Sequence, residues 1–359
     1  MKTLNRVAVA LFATLLSFGV STSASADKMK VGFIYIGPPG DHGWTYAHDQ
    51  GRLHLEKELG SQVETTFVEG VKEGGPDAER AIAKLAQTGH KLIFTTSFGY
   101  MEPTLKVAKR FPDVKFEHAT GYKRADNVST YSARFYEGRY VQGVIAGQVS
   151  KSGVIGYIAS FPIPEVIRGI NAFMLGAQTQ NPNIKVKVVW VYTWYDPGKE
   201  ADAAKVLMDQ GADIITQHTD STAALQAAAD RGIHAFGQAS DMIQFAPKNQ
   251  LTANMNTWGP YYVARTKAVL DGSWKSQDTW HGMGEGMVVM APFTNMSSEV
   301  AALAQKTYDD LRSGKLHAFS GPINDQSGKQ VVAAGAVADD GMLAGMKFYV
   351  EGIDGELPK

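Results

Sequence analysis

Six short stretches concentrate the side chains that could do chemistry. Gly-Asp-His-Gly-Trp offers Asp41, His42 and Trp44, Ser-Phe-Gly-Tyr offers Ser97, Phe98 and Tyr100, and Thr-Trp-Tyr-Asp offers Trp194, Tyr195 and Asp196. Further along stand His218 with Asp220, Ser240 with Asp241, and Asn254 and Asn256 with Trp258. One combination recurs: a flat aromatic accompanied by a carboxylate or an amide. Two aromatics on opposing walls can sandwich a planar ring while short polar groups bond its edge. Stacking of a base on an aromatic contributes on the order of 1–3 kcal/mol. A planar heterocycle is the ligand these residues suggest. Each residue also has a plainer use. Trp44 suits core packing between two halves of the chain, Asp220 and Asp241 suit helix caps, His218 suits a satisfied loop, and Tyr195 and Phe98 suit partial burial. Asp196-Pro197 reads as a helix start, and Arg134 and Glu137 stand at helical spacing for a surface pair.

Reaction chemistry finds little support. HExxH, GxSxG, a Walker loop and a dinucleotide GxGxxG after the first strand are all absent, and Gly282-Met-Gly-Glu-Gly286 spaces its glycines wrongly for phosphate. Adjacent Asp41 and His42 on one loop rarely aim at one substrate atom. The chain has no cysteine, which removes thiolate metal sites, cysteine nucleophiles, disulfides and a lipid-bearing N-terminal cysteine. The expectation is therefore no catalytic residue, no metal site and no cofactor. A periplasmic hydrolase or nucleosidase, the rival reading, would need a base or metal at the cleft. A formal net charge of −1 gives no bulk basic field for nucleic acid.

The elements that must position these residues alternate. Val31–Ile36 is an apolar run with β-branched and aromatic residues, followed by loop chemistry and then the helical stretch Thr45–Leu59: strand, loop, helix. The same alternation continues through VETTFVEGV, PDAERAIAKLAQTG, KLIFTTSFG, PTLKVAKRFP, VKFEHATG, VSTYSARF and the helix GRYVQGVIAGQVSKSG, whose glycines suggest close packing on the sheet. It restarts at VIGYIAS and runs to IHAFGQAS, with Gly211 and Gly232 placed as helix stops. This is an α/β pattern with parallel sheets flanked by helices. The predicted organisation is two lobes: residues 27–150 plus about 250–280, and residues 151–249 plus about 281–359. The ligand-bearing loops all leave strand ends, where small molecules sit in such folds.

Met1–Ala26 carries Lys2 and Arg6, an apolar core and Ala24-Ser25-Ala26, the three regions of a cleavable secretory signal. No other segment is apolar enough to span a bilayer. A periplasmic protein, not lipidated, is expected.

Taken together, GDHGWTYAHDQG, TTSFGYMEPTLKVAKRFPDVKF, the run from ARFYEGRY to GYIAS, GAQTQNP, TWYDPGKEADAAKVLMDQGADIITQ, SDM and GPINDQSGK resemble the basic membrane protein and purine nucleoside receptor family of ABC-importer substrate-binding proteins. That resemblance covers nearly the whole mature chain. It implies the two-lobed type I periplasmic-binding fold and a purine clamped between aromatics at the positions of Trp44 and Trp194. It places Asp241 at the ligand as well, with an inner-membrane ABC permease as partner. His42, Asp220, His218, Ser97, Phe98, Tyr195 and Asn256 complete the expected binding set. Thr45 stands where nucleoside-binding members commonly carry asparagine, and Asn256 where they carry a lysine near the ribose. HTDST replaces a glycine-rich turn. These departures favour a free base, adenine above all, with a nucleoside as the alternative, and a monomer as the working form. A transcription regulator of similar fold is excluded by an export signal standing where a DNA-binding headpiece would be.

Overall fold

The computed structural model describes residues 27–358; the secretory signal expected at 1–26 lies outside them. The first sheet contains β1 (Met29–Ile34), β2 (Val63–Val68), β3 (Leu92–Thr95), β4 (Lys115–Ala119) and β5 (Val128–Ala133). The second contains β6 (Val154–Ala159), β7 (Lys185–Trp190), β8 (Ile214–His218), β9 (His234–Ala239) and β10 (Gln250–Asn256). Later segments complete each: β11 (Asp278–His281) joins the first, and β12 (Val288–Met290) and β15 (Ile353–Asp354) join the second. Strand orders are β11-β5-β4-β3-β1-β2 and β12-β10-β9-β8-β6-β7-β15, so both lobes repeat one doubly wound arrangement. Every named pairing in these two sheets is parallel except β10 with β12. A separate hairpin pairs β13 (Ile323–Asn324) with β14 (Gln330–Val332).

Strand alternation feeds two apolar layers. Val31 and Phe33 join the layer under α1 (Trp44–Leu59) and α8 (Gly259–Leu270), while Ile34 joins the layer under α2 (Pro76–Gln87) and α3 (Met101–Arg110). In the second lobe α6 (Pro197–Asp209) and α7 (Ala223–Asp230) cover one face of the sheet. The other face carries α4 (Phe135–Val149), α5 (Pro164–Gln178) and α9 (Ser298–Arg312).

The lobe boundary falls earlier than the expected residue 150. Helix α4 packs against α5, α9 and β10, all of the second lobe. The cause is Gly143 and Gly147, which meet α5 and not the sheet, while Gly138 meets Asn254 of β10. A Cβ on Gly143 would lie 2.0 Å from the Phe173 carbonyl oxygen, and one on Gly176 would lie 2.2 Å from that of Tyr140. The chain therefore crosses between lobes at Ala133–Phe135, again at Asn256–Gly259 and again at His281–Met283. Residues 250–256 lie in the second sheet, and α8 and β11 return to the first lobe. The Arg134 and Glu137 pair does not form. Arg134 instead holds Asp340 with two bonds, Nη1 to Oδ1 at 2.7 Å and Nη2 to Oδ2 at 2.8 Å, at the start of α10 (Asp340–Ala344). Glu137 accepts from the Met283 amide, and burial pushes its carboxyl up to about 7.

Candidate functional site

Strand order reverses between β1 and β3 in one sheet and between β6 and β8 in the other, the places where open α/β sheets bind ligands. Loops from both reversals meet around one cavity. Trp44, Ser97, Phe98 and Thr120 line it from the first lobe, and Glu165, Trp194, His218, Asp220 and Gln238 from the second. It contains about 340 Å³ of non-atom space, counting solvent at its mouth.

Asp41 builds the first wall. Its Oδ1 accepts from the Gly43 and Tyr46 amides at 2.8 and 2.9 Å, and its Oδ2 from the Thr45 amide at 3.1 Å. This carboxylate ties down the free N–H groups that begin α1 and so sets Trp44 on its first turn. Burial raises the Asp41 carboxyl to about 6, against the pull of those three amides. The Trp44 indole Nε1 donates to the Thr96 carbonyl at 2.6 Å. Its ring also packs edge-on against His48, Phe135 and Trp258, at centroid distances of 4.4, 5.8 and 5.6 Å. Trp44 thus belongs partly to the core and partly to the cavity.

Trp194 follows β7. Its Nε1 donates to Glu73 Oε2 at 2.9 Å, and its ring lies 5.1 Å from Phe161. The other Glu73 oxygen accepts from the Gly99 amide at 2.7 Å and from the Ser97 hydroxyl. His218 ends β8 with Nε2 3.6 Å from Glu165 Oε1. Burial holds its imidazole below the usual range, although Glu165 pulls the other way. Asp220 is buried and its carboxyl is pushed up, first by desolvation and then by the charges of Asp41 and Glu200. The Trp44 amide opposes that shift. Gly43 makes the close approach possible, because a Cβ there would stand 2.1 Å from the Asp220 carbonyl oxygen.

Six of the ten sequence-predicted residues line the cavity: Trp44, Ser97, Phe98, Trp194, His218 and Asp220. Four do not. His42 adopts a left-handed backbone at φ 60°, packs its ring 5.1 Å from Tyr46 and 4.7 Å from Phe245, and accepts the Ser240 hydroxyl on its carbonyl. It is a seam between lobes. Tyr195 lies beside Gly37. Asp241 closes a local turn, its Oδ1 accepting from the Ile243 amide at 3.0 Å and from Gln250 Nε2 at 2.7 Å. Asn256 is buried at the end of β10, at the second crossing.

Glu73, Glu165, Thr120 and Gln238 escaped the sequence reading. Glu165 resembles any acid in a helix first turn, Glu73 sits in a glycine-rich loop, and Gln238 stands inside a strand. Only their places at or near strand ends marked them. Among the described residues no group of three or more His, Cys, Asp or Glu is arranged to hold a metal, and no helix is long and apolar enough to cross a membrane.

A family model described as ABC transporter substrate-binding protein, PnrA-like, matches residues 28–315. The chain is 65% identical to a purine-binding protein of Brucella abortus (strain 2308), over 97% of this chain and all of that one. It is 36% identical to a putative ABC transporter glucose-binding protein of Haloferax volcanii, over 93% of this chain and 83% of the other. Among solved structures it shares its fold with an ABC transporter solute-binding protein of Aeropyrum pernix K1. That match has a TM-score of 0.69 at 19% identity and covers 80% of this chain and 92% of that one. A Conexibacter woesei solute-binding protein matches at TM-score 0.64 and 22% identity, covering 80% and 98%. The two-lobed α/β architecture, the cavity at the strand-order reversals and these matches agree: the chain belongs to the PnrA-like ABC transporter substrate-binding proteins and is a binding protein, not an enzyme.

Proposed function

We propose that the protein captures a free purine base, adenine or a close analogue, in the cavity between Trp44 and Trp194. As an ABC substrate-binding protein it works outside the cytoplasm, with a small-molecule ligand and a permease as its partners. The reading adds that it is a monomer, periplasmic, not lipidated and indifferent to nucleic acid.

The hydrogen-bond state of the cavity wall carries the proposal. Both indole N–H groups are engaged with Thr96 and Glu73, so the tryptophans offer ring surface. The Ser97 hydroxyl donates to Glu73 and the Thr120 hydroxyl to the Ala119 carbonyl at 2.8 Å, which leaves both oxygens free only to accept. Glu165 adds a carboxylate and Asp220 a buried carboxyl whose protonation is favoured by desolvation. An acceptor-rich slot with aromatic walls suits a flat heterocycle bearing several N–H donors, as adenine does through its exocyclic amine and ring N–H. The purine-binding Brucella relative supports the same class.

A nucleoside is the second reading. A neighbouring cleft with about 740 Å³ of non-atom space, counting open solvent, shares Phe98, Thr120 and Glu165 with the first and adds Asp278, Arg168 and Trp280, giving room for a sugar. Calorimetric titration of ligand-stripped protein with adenine, adenosine, hypoxanthine and inosine separates the two. Adenine should bind tightest and stay chemically unchanged. Adenosine binding as tightly or more tightly would favour the nucleoside, and no binding of any purine would end the purine reading.

A further inference from the structure

Behind the cavity lies a cation with no counter-charge. Arg139 of α4 is fully buried. Its Nη1 donates to Gln142 Oε1 at 3.1 Å and to Thr216 Oγ1 at 3.5 Å, and its Nη2 donates to Gln238 Oε1. The guanidinium carbon lies 5.7 Å from the centre of the Tyr157 ring, and Nε has no partner. All of these partners are neutral, and no carboxylate among the described residues pairs with Arg139. Burial of a guanidinium on such terms is costly.

What the arrangement accomplishes is visible at Gln238. An amide can turn either its oxygen or its nitrogen toward a neighbour. Here the oxygen must face Arg139, because a guanidinium only donates. The Gln238 Nε2 is thereby left for the cavity that the residue lines, and it makes no hydrogen bond to any described residue. The donors of Trp44, Trp194, Ser97 and Thr120 are already engaged, and the Nδ1 of His218 is buried without a partner. We propose that Gln238 is a specificity-determining residue that donates to an unprotonated ring nitrogen of the ligand, and that Arg139 is the positioning residue that fixes its amide in that sense. This rests on the purine reading and adds which kind of atom is selected.

Deaza analogues test it, since each replaces one ring nitrogen by C–H and leaves the shape intact. Wild-type protein is titrated with adenine and with 1-, 3- and 7-deazaadenine. One of the three should bind at least tenfold more weakly than adenine. In Gln238→Leu that penalty should shrink below threefold, with adenine weakened to the level of the penalised analogue. Gln238→Glu gives a second readout that a packing role would not give. The new carboxylate should pair with Arg139 and raise the melting temperature of the ligand-free protein, while the tenfold preference disappears. Arg139→Met should erase the same preference and Arg139→Lys should restore part of it. Equal binding of all analogues by the wild type overturns the proposal and spares the purine reading. A penalty that survives in Gln238→Leu and Gln238→Glu overturns it too, and failure of every purine to bind overturns both.

Discussion

Trp194 Nε1 donates to Glu73 Oε2 at 2.9 Å, so the aromatic that lines the cavity from one lobe is tied to a carboxylate of the other. The same carboxylate holds the Gly99 amide and the Ser97 hydroxyl. The orientation of the indole thus depends on a residue of the opposite lobe. Glu73→Ala should weaken ligand binding by about 1.5–3 kcal/mol, the range for a hydrogen bond to a charged group. Titration calorimetry decides the point, and an unchanged affinity would refute the coupling.

Gly43 packs its backbone against Asp220 of the other lobe. A side chain there cannot coexist with the Asp220 carbonyl as the lobes stand in this structure. Gly43→Val is expected to cut affinity at least tenfold while the ligand-free melting point moves little. Small-angle scattering should show the variant failing to contract when ligand is added. Contraction equal to wild type would contradict this.

The two tryptophans are not equivalent. Trp44 packs on His48, Phe135 and Trp258, whereas Trp194 touches Phe161 at the cleft. Trp194→Ala should cost about 1–3 kcal/mol of binding and spare ligand-free stability. Trp44→Ala should cost as much binding and, in addition, lower ligand-free stability more than Trp194→Ala does, because this half-buried ring packs on three aromatic neighbours. Thermal melts with matched titrations would show the split, and equal stability losses would argue against it.

Acidity offers a further check. Burial raises Asp41 to about 6 from an ordinary value of 3.8 and raises Asp220 well above its ordinary value. A carboxyl whose pKa is higher folded than unfolded binds more protons in the folded protein between the two values. Folded stability therefore falls as pH climbs through that window and stays reduced above it. Asp220→Asn removes one such group. Its ligand-free melting point should match wild type near pH 4 and exceed it increasingly toward pH 7.5. A difference that stays constant with pH would sink this account.

The fold was readable from period and punctuation. Apolar runs bounded by glycine and proline marked most strands, and Asp196 caps α6 through the Lys199 amide at 3.0 Å, as its place before Pro197 suggested. Long-range partners were not readable. Gly143 looked like any glycine for sheet packing, and only the tertiary structure shows it against Phe173. Strand β11 is four residues whose one buried position is the polar Thr279, with Trp280 half-buried and Asp278 and His281 exposed, too short and too polar for a period to show. At the site, aromatics were conspicuous because exposed indoles are unusual at loops. Glu73, Glu165 and Gln238 carry ordinary side chains at ordinary places, and their importance comes from what lies opposite. Asp241 misled for the converse reason, since a local turn satisfies it.

The segment after residue 315, where the family match ends, lays β15 along β7 through Ile353 with Val186 and Asp354 with Lys187. It also buries Phe319, Leu343, Met346, Tyr349 and Val350 against the second lobe. An uncovered outer strand carries a row of unpaired N–H and C=O groups that any passing extended chain can join. By occupying the Val186–Lys187 part of that row from within, the tail leaves a shorter open edge for another extended chain to join.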